Sequence, residues 1–201
     1  NATHNNTRGY VTRRMERELV RCANGLAPGD ESGLEAVLAS REGKVINRVI
    51  NLQTGSLAVE AGLKMMLARF FRLDPSFPEP PLQGKTPVFL VLADREGGPE
   101  ANYHGTTVIA QTLRGLWPEF AAKAGQAGLY RVVAVAPNDV EGFQRSIARW
   151  NEGPFRTAGF LHEIILMNYG AVRLTPRFLQ TAYRLCALYD TPTLVDEIQS
   201  C

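Results

Sequence analysis

The chain has 201 residues, 45% of them hydrophobic and 21% charged, and its 22 basic and 20 acidic side chains leave a net charge of +2. That balance belongs to a globular protein with room for a sizeable core, and it argues for neither nucleic acid nor a membrane surface as a partner. No apolar run approaches the length that spans a bilayer.

After a polar start, Val11 to Cys22 carries scattered apolar positions among many arginines and predicts a solvated helix. Ala27 to Ser32 reads as a loop, with Asp30 or Ser32 as the cap of a following helix. Residues 1–44 are therefore expected to form a helical and loop segment leading into a larger domain over 45–201. Val45 to Leu52 is rich in β-branched residues and predicts a strand; Thr54-Gly55-Ser56 then turns into a helix over Leu57 to Phe71. Asp74 to Gly84, with four prolines, is a surface excursion. Pro87 to Ala93 is an unbroken apolar run, as a strand covered on both faces requires. A helix is expected from about Thr106 to Trp117, a strand over Tyr130 to Ala136 and a helix over Val140 to Trp150. A strand over Phe160 to Met167, a helix over Pro176 to Tyr189 and a last strand over Thr193 to Val195 follow. Strand and helix in this alternation predict an α/β fold of three layers, a mainly parallel sheet with helices on both faces. Sites in such sheets form at the carboxyl ends of the strands.

Cys22, Cys186 and Cys201 are an odd, sparse set without metal-ligand spacing, so free thiols in a reducing compartment and no metal site are expected. Two glycosylation sequons, at Asn1 and Asn5, follow no hydrophobic leader and read as chance matches. The cytoplasm is the expected location. The chain opens on Asn rather than Met and stops just after the apolar Thr193–Val195 run, which predicts an incomplete polypeptide.

Four polar clusters stand where strands give way to turns. At Gly55 and Ser56 a helix N-terminus offers unpaired amides and a favourable dipole to an anion such as phosphate, although Gly-Ser before a helix also serves as an ordinary cap. Asn102-Tyr103-His104-Gly105 can present a flat ring for stacking or simply pack a loop tyrosine; His104 reads equally as a satisfied loop histidine or a general base. Glu163 lies inside an apolar run, where a carboxylate is costly unless paired, so either a function or a structural ion pair is implied. Asp196 ends the last strand, with Gln199 three residues on; they can hold a protonated ring nitrogen and an adjacent oxygen, or cap the next element.

Taken in order, these segments resemble the class III, ω-amino acid type aminotransferases that use pyridoxal phosphate. Gln53 to Ala61 is similar to the family's S-G-T/S-E-A-V-E-A turn and helix, Tyr103-His104-Gly105 to its Y/F-H-G, and Pro137-Asn138-Asp139 to the N-D ahead of a helix. Glu163 matches the glutamate of its E-P segment and Gly170 the glycine beyond; Thr175 to Cys186 resembles its P-x-Y/F-L helix, and Asp196-Glu197-Ile198-Gln199 its D-E-V/I-Q. The similarity runs from about Val45 to the C-terminus.

The resemblance implies the large domain of a fold type I pyridoxal-phosphate transferase. It implies that Gly55 and Ser56 grip the cofactor phosphate, that Tyr103, beside His104, stacks on the ring, and that Asp196 pairs with the ring nitrogen. It also implies that Gln199 bonds the phenolic oxygen and that Glu163 orders the polar set. The implied reaction moves an amino group from an amine or ω-amino acid to a 2-oxo acid, in a homodimer or with a second chain supplying what is missing. A racemase or mutase on the same scaffold, or an inactive cofactor-binding or structural homologue, are the alternatives. Departures are Leu57 for the glutamate of S-G-T-E, Ile164 for the proline of E-P, and Asn168 where several members carry an acid. The lysines are Lys44, Lys64, Lys85 and Lys123, and none stands where the family's Schiff-base lysine does, so no catalytic residue is expected among these 201. A nucleotide-binding α/β protein of another kind is disfavoured, since neither G-x-G-x-x-G nor G-x-x-x-x-G-K-S/T occurs.

Overall fold

A computed structural model of the chain describes residues 9–43, 45–93, 104–198 and 200, and the chain divides into two units, Asn1–Asn51 and Leu52–Cys201. In the first unit, helix α1 (Tyr10–Ala23) and helix α2 (Glu31–Ala39) are joined through Arg21. Its guanidinium is 3% exposed, donates to the Asp30 carbonyl at 2.6 Å, and pairs with Glu18 and Glu31. Asp30 caps α2 by accepting from the Gly33 amide at 2.9 Å. Val45 to Leu52 forms no strand. Ile46 and Ile50 are exposed and the stretch has no ladder partner among the described residues. Asn24 and Asn47 side chains instead tie it to the helical pair, donating to the Ile46 and Ser40 carbonyls. β-branched composition favours a strand only where a neighbouring strand takes up the backbone bonds.

The second unit holds a sheet of four parallel strands in the order β2-β1-β3-β6, formed by β1 (Thr86–Leu92), β2 (Arg131–Val135), β3 (Phe155–Glu163) and β6 (Thr193–Asp196). Alternation along β1 divides its side chains between two cores. Val88, Leu90 and Leu92 face α6 (Val140–Arg149) and α7 (Pro176–Leu188) through Phe143, Ile147 and Phe178. Phe89 and Val91 face α3 (Gly55–Leu67), α4 (Val108–Leu113) and α5 (Pro118–Gln126) through Leu63, Met66 and Leu113. The predicted three-layer α/β architecture is the observed one. Gly62 lets α3 press against β6, because a Cβ there would stand 2.5 Å from Leu194 Cδ1.

Three predicted elements change at their ends, and others are new. The helix expected over 106–117 stops at Leu113: Gly115 takes a φ of 82°, and the Gly115 and Leu116 amides bond back to the Thr112 and Gln111 carbonyls, a double bond pattern that closes a helix. Pro118 then opens α5, a helix that the sequence pattern does not announce. The helix predicted over Leu57 to Phe71 runs Gly55–Leu67, because Thr54 caps it early by accepting from the Leu57 amide at 3.2 Å. The strand predicted over Phe160 to Met167 runs Phe155–Glu163; beyond it a separate antiparallel pair, β4 (Ile165–Leu166) and β5 (Val172–Arg173), folds back around Gly170. Apolar composition runs through both pieces and conceals the break.

Candidate functional site

β3 and β6 run parallel with Glu163 opposite Asp196, so their last residues stand side by side at the carboxyl edge of the sheet. Period-two alternation puts both on the face of Leu161 and Leu194, which pack with α3. The segment leading into α4 reaches the same place: His104 Nδ1 lies 3.2 Å from Asp196 Oδ2, with the imidazole 2% exposed. Donation from Nδ1–H to the carboxylate, against the opposing effect of burial, holds Asp196 below the ordinary carboxylate range. Glu163 has the opposite fate. Burial first, and the charge of Asp196 second, push it up to about 7, while Arg114 pulls the other way. Two buried atoms of this cluster, Glu163 Oε2 and His104 Nε2, have no hydrogen-bond partner among the described residues. Buried polar atoms left so are costly, and a bound ligand satisfies them.

The other end of the site is the N-terminus of α3. Thr54 spends its hydroxyl on the Leu57 amide, leaving Gly55 and Ser56 as the first helical residues with their amides directed outward. Gly105 passes close above them with a φ of +98°, and a Cβ on it would lie 2.8 Å from Ser56 Cα. Glycine alone allows that approach. The next amide, Thr106, donates to Ser56 Oγ at 3.1 Å, and the two hydroxyls are 3.4 Å apart. Residues 104–106 thus stitch the two ends together: His104 holds the carboxylate end and Thr106 the amide end, with two peptide units between them, a Cα separation of at most about 7 Å.

Of the residues singled out in the sequence, Gly55, Ser56, His104, Glu163 and Asp196 are brought together in this way, whereas Tyr103 and Gln199 lie outside the described residues. His104, open in the sequence between a packed histidine and a base, orients Asp196 through one nitrogen and leaves the other free. Thr106 and Arg114 escaped notice; the position of Thr106 just after His-Gly was a usable signal, and nothing local marked Arg114. Behind the site, His162 is fully buried and turned to the other face of β3. It stacks on Phe160 at 4.6 Å between ring centres, and burial pushes it down to about 4. Its Nδ1 donates to the Glu163 carbonyl at 3.2 Å and its Nε2 accepts from the Tyr183 hydroxyl at 3.0 Å, which pins the strand end. Lys64 is nine residues along α3 from Gly55, about 14 Å by helix rise. Lys85 precedes β1, at the amino edge of the sheet, and Lys123 is on α5 paired with Glu119.

Neither a family model nor a curated protein sequence matches this chain. Solved structures do. A transaminase from the marine bacterium Virgibacillus superposes with a TM-score of 0.52 at 16% identity, over 94% of this chain and 42% of that one. An omega-transaminase from Sphaerobacter thermophilus gives 0.51 at 20% identity, over 92% and 40%. An ornithine aminotransferase from Toxoplasma gondii gives 0.46 at 20%, over 74% and 31%. The chain spans less than half the length of each. It has the fold of the first two.

Proposed function

We propose that this chain is the cofactor-binding part of a pyridoxal-phosphate-dependent aminotransferase of the class III kind. The observation that carries the reading is the pairing of opposite polarities at one strand edge: a half-buried, ionised Asp196 held by His104, stitched through Gly105 and Thr106 to the open amides of Gly55 and Ser56. Such a site suits a molecule with a cation at one end and a phosphate at the other. The fit is supported further by the two unpartnered buried atoms, Glu163 Oε2 and His104 Nε2, beside the carboxylate. The fold shared with two solved transaminases points the same way.

Pyridoxal phosphate, when bound, supplies an electron-withdrawing ring that stabilises a substrate carbanion. The residues of the chain supply the setting. Asp196 accepts a hydrogen bond from a protonated ring nitrogen and keeps the proton there; His104 Nδ1 keeps the carboxylate ionised and oriented. The Gly55 and Ser56 amides, with the α3 dipole, would hold the phosphate, and the Ser56 hydroxyl, oriented by accepting from the Thr106 amide, has its own proton to donate. By the resemblance, Tyr103 would stack on the ring and Gln199 would bond its phenolic oxygen. We propose transfer from an amine or ω-amino acid to a 2-oxo acid in the cytoplasm, by a homodimer of the complete protein or with a second chain that furnishes the amine-bearing lysine and the substrate contacts.

Asp196→Ala in the complete protein tests this reading. Transaminase turnover is expected to fall by about a hundred- to a thousandfold, the order expected of a residue that stabilises charge in the transition state, while circular dichroism keeps the wild-type fold. Undiminished turnover removes Asp196 from the mechanism and the reading with it.

A further inference from the structure

Two carboxylates on adjacent parallel strands in a buried site cannot both ionise without a large electrostatic cost, and the proton stays on whichever is worse supplied with donors. Glu163 and Asp196 are such a pair, register partners at the ends of β3 and β6. Asp196 is well supplied: His104 Nδ1 lies 3.2 Å from one oxygen and the Ile198 amide 3.4 Å from the other. Glu163 is not. It is 2% exposed, none of the described groups donates to its side chain, and its Oε2 has no partner.

The surrounding charges do not reverse the inequality. Arg114, at the end of α4, favours the ionised form of Glu163 but is outweighed by burial and by Asp196, and it has a further interaction of its own. On α3, Glu60 and Lys64 face each other at 3.8 Å. His162, next to Glu163 in the strand, turns to the opposite face and is occupied by Tyr183. His104 is committed to Asp196.

We propose that Glu163 and Asp196 hold one negative charge between them below neutral pH, with the proton on Glu163, so that Glu163 is a proton-holding residue of the site and offers a donor to whatever is bound there. The placement of the proton is a property of the protein itself. Its consequence rests on the reading above: a cationic ring meets one anion well below neutral pH and two well above it, so pyridoxal phosphate binding becomes pH-dependent through Glu163.

The test is infrared difference spectroscopy on the intact protein, without added cofactor, as the pH is raised from about 5 to about 9. A protonated-carboxyl C=O band is expected to vanish with a midpoint near 7 and to be missing in Glu163→Gln. In Asp196→Asn, where the neighbouring charge is gone, the midpoint is expected to move down by about one unit. No such band in the wild type, a band that survives in Glu163→Gln, or a midpoint unmoved in Asp196→Asn overturns the proposal. A pyridoxal phosphate absorbance titration on the same samples separates it from the functional reading. If the band behaves as expected and no cofactor binds, the proton placement stands and the aminotransferase reading falls; if cofactor binds and the band is absent, the reverse holds.

Discussion

At Gly105 and at the thiols, single atoms set what the chain tolerates. An alanine at Gly105 has to adopt a φ of +98° and to push its methyl into Ser56 Cα, which is backbone and cannot swing aside. Gly105→Ala is expected to cost about 2 kcal/mol of stability from strain and overpacking, and to loosen pyridoxal phosphate binding by separating Thr106 from Ser56. Thermal unfolding with a cofactor titration reads both; a variant with native stability and affinity contradicts the close approach. The thiols differ for a related reason of environment. Burial pushes Cys186 up to about 12, whereas Cys22 is exposed. Since the thiolate is the reactive species, iodoacetamide at about pH 8 is expected to alkylate Cys22 in the native protein and spare Cys186 until it is unfolded. Peptide mass mapping decides the matter, and rapid native labelling at Cys186 counts against the packing of α7.

Between elements, the side chain of Asn138 acts as a clasp. It sits between β2 and α6 with a φ of 65°, a conformation asparagine tolerates better than most residues. Its Oδ1 accepts from the Thr175 amide at 2.7 Å and its Nδ2 donates to the Arg173 carbonyl at 3.1 Å. The return of the β4–β5 pair, which begins just after Glu163, is thereby fastened to the neighbouring strand end, and α7 starts from that anchor with Thr175 as its cap. Asn138→Ala loses both bonds and keeps a strained backbone, so about 2–3 kcal/mol is expected. Asn138→Gly loses the bonds and relieves the strain, so it is expected to fall about 1 kcal/mol short of that cost. Urea denaturation of the two variants reads the order directly; an alanine variant more stable than the glycine variant rejects the clasp.

For the molecule as a whole, two buried groups in adjacent positions pull stability in opposite directions with pH. Glu163 is raised from 4.5 to about 7, so the stability tied to it is complete below its unfolded value and lost as pH rises through 7. His162 is lowered from 6.5 to about 4, so its share is complete above 6.5 and lost as pH falls towards 4. Each changes by about 2 kcal/mol between roughly pH 5 and pH 7, and the two nearly cancel. Removing one exposes the other. Glu163→Gln is expected to gain about 2 kcal/mol on wild type over that interval as pH rises. Denaturant unfolding at both pH values gives the difference, and an unchanged gap between variant and wild type shows that Glu163 is ionised throughout.

Much of this was legible before any coordinates, for reasons that differ by element. The apolar run Pro87 to Ala93 has the pattern of a strand covered on both faces, and β1 over Thr86–Leu92 is one. Val140 to Arg149 and Pro176 to Leu188 carry their own caps, Asp139 and Thr175, so their starts are local matters. Asp196 stands at a strand end in the sequence because the apolar Thr193–Val195 run stops before it, whereas Glu163 reads as lying inside a strand that continues to Met167. What local pattern does not carry is partnership. Val45 to Leu52 has a strand's composition and no neighbouring strand to complete it. The break after Glu163 is hidden because β3 and β4 are equally apolar, and only the register with β6 ends one and begins the other. The bonds from His104 to Asp196 and from Thr106 to Ser56 join residues separated by 92 and 50 positions. Residue types at the strand ends come from local sequence, but which of them touch, and which of two carboxylates keeps a proton, depends on distances and burial that exist only once the sheet and helices have packed.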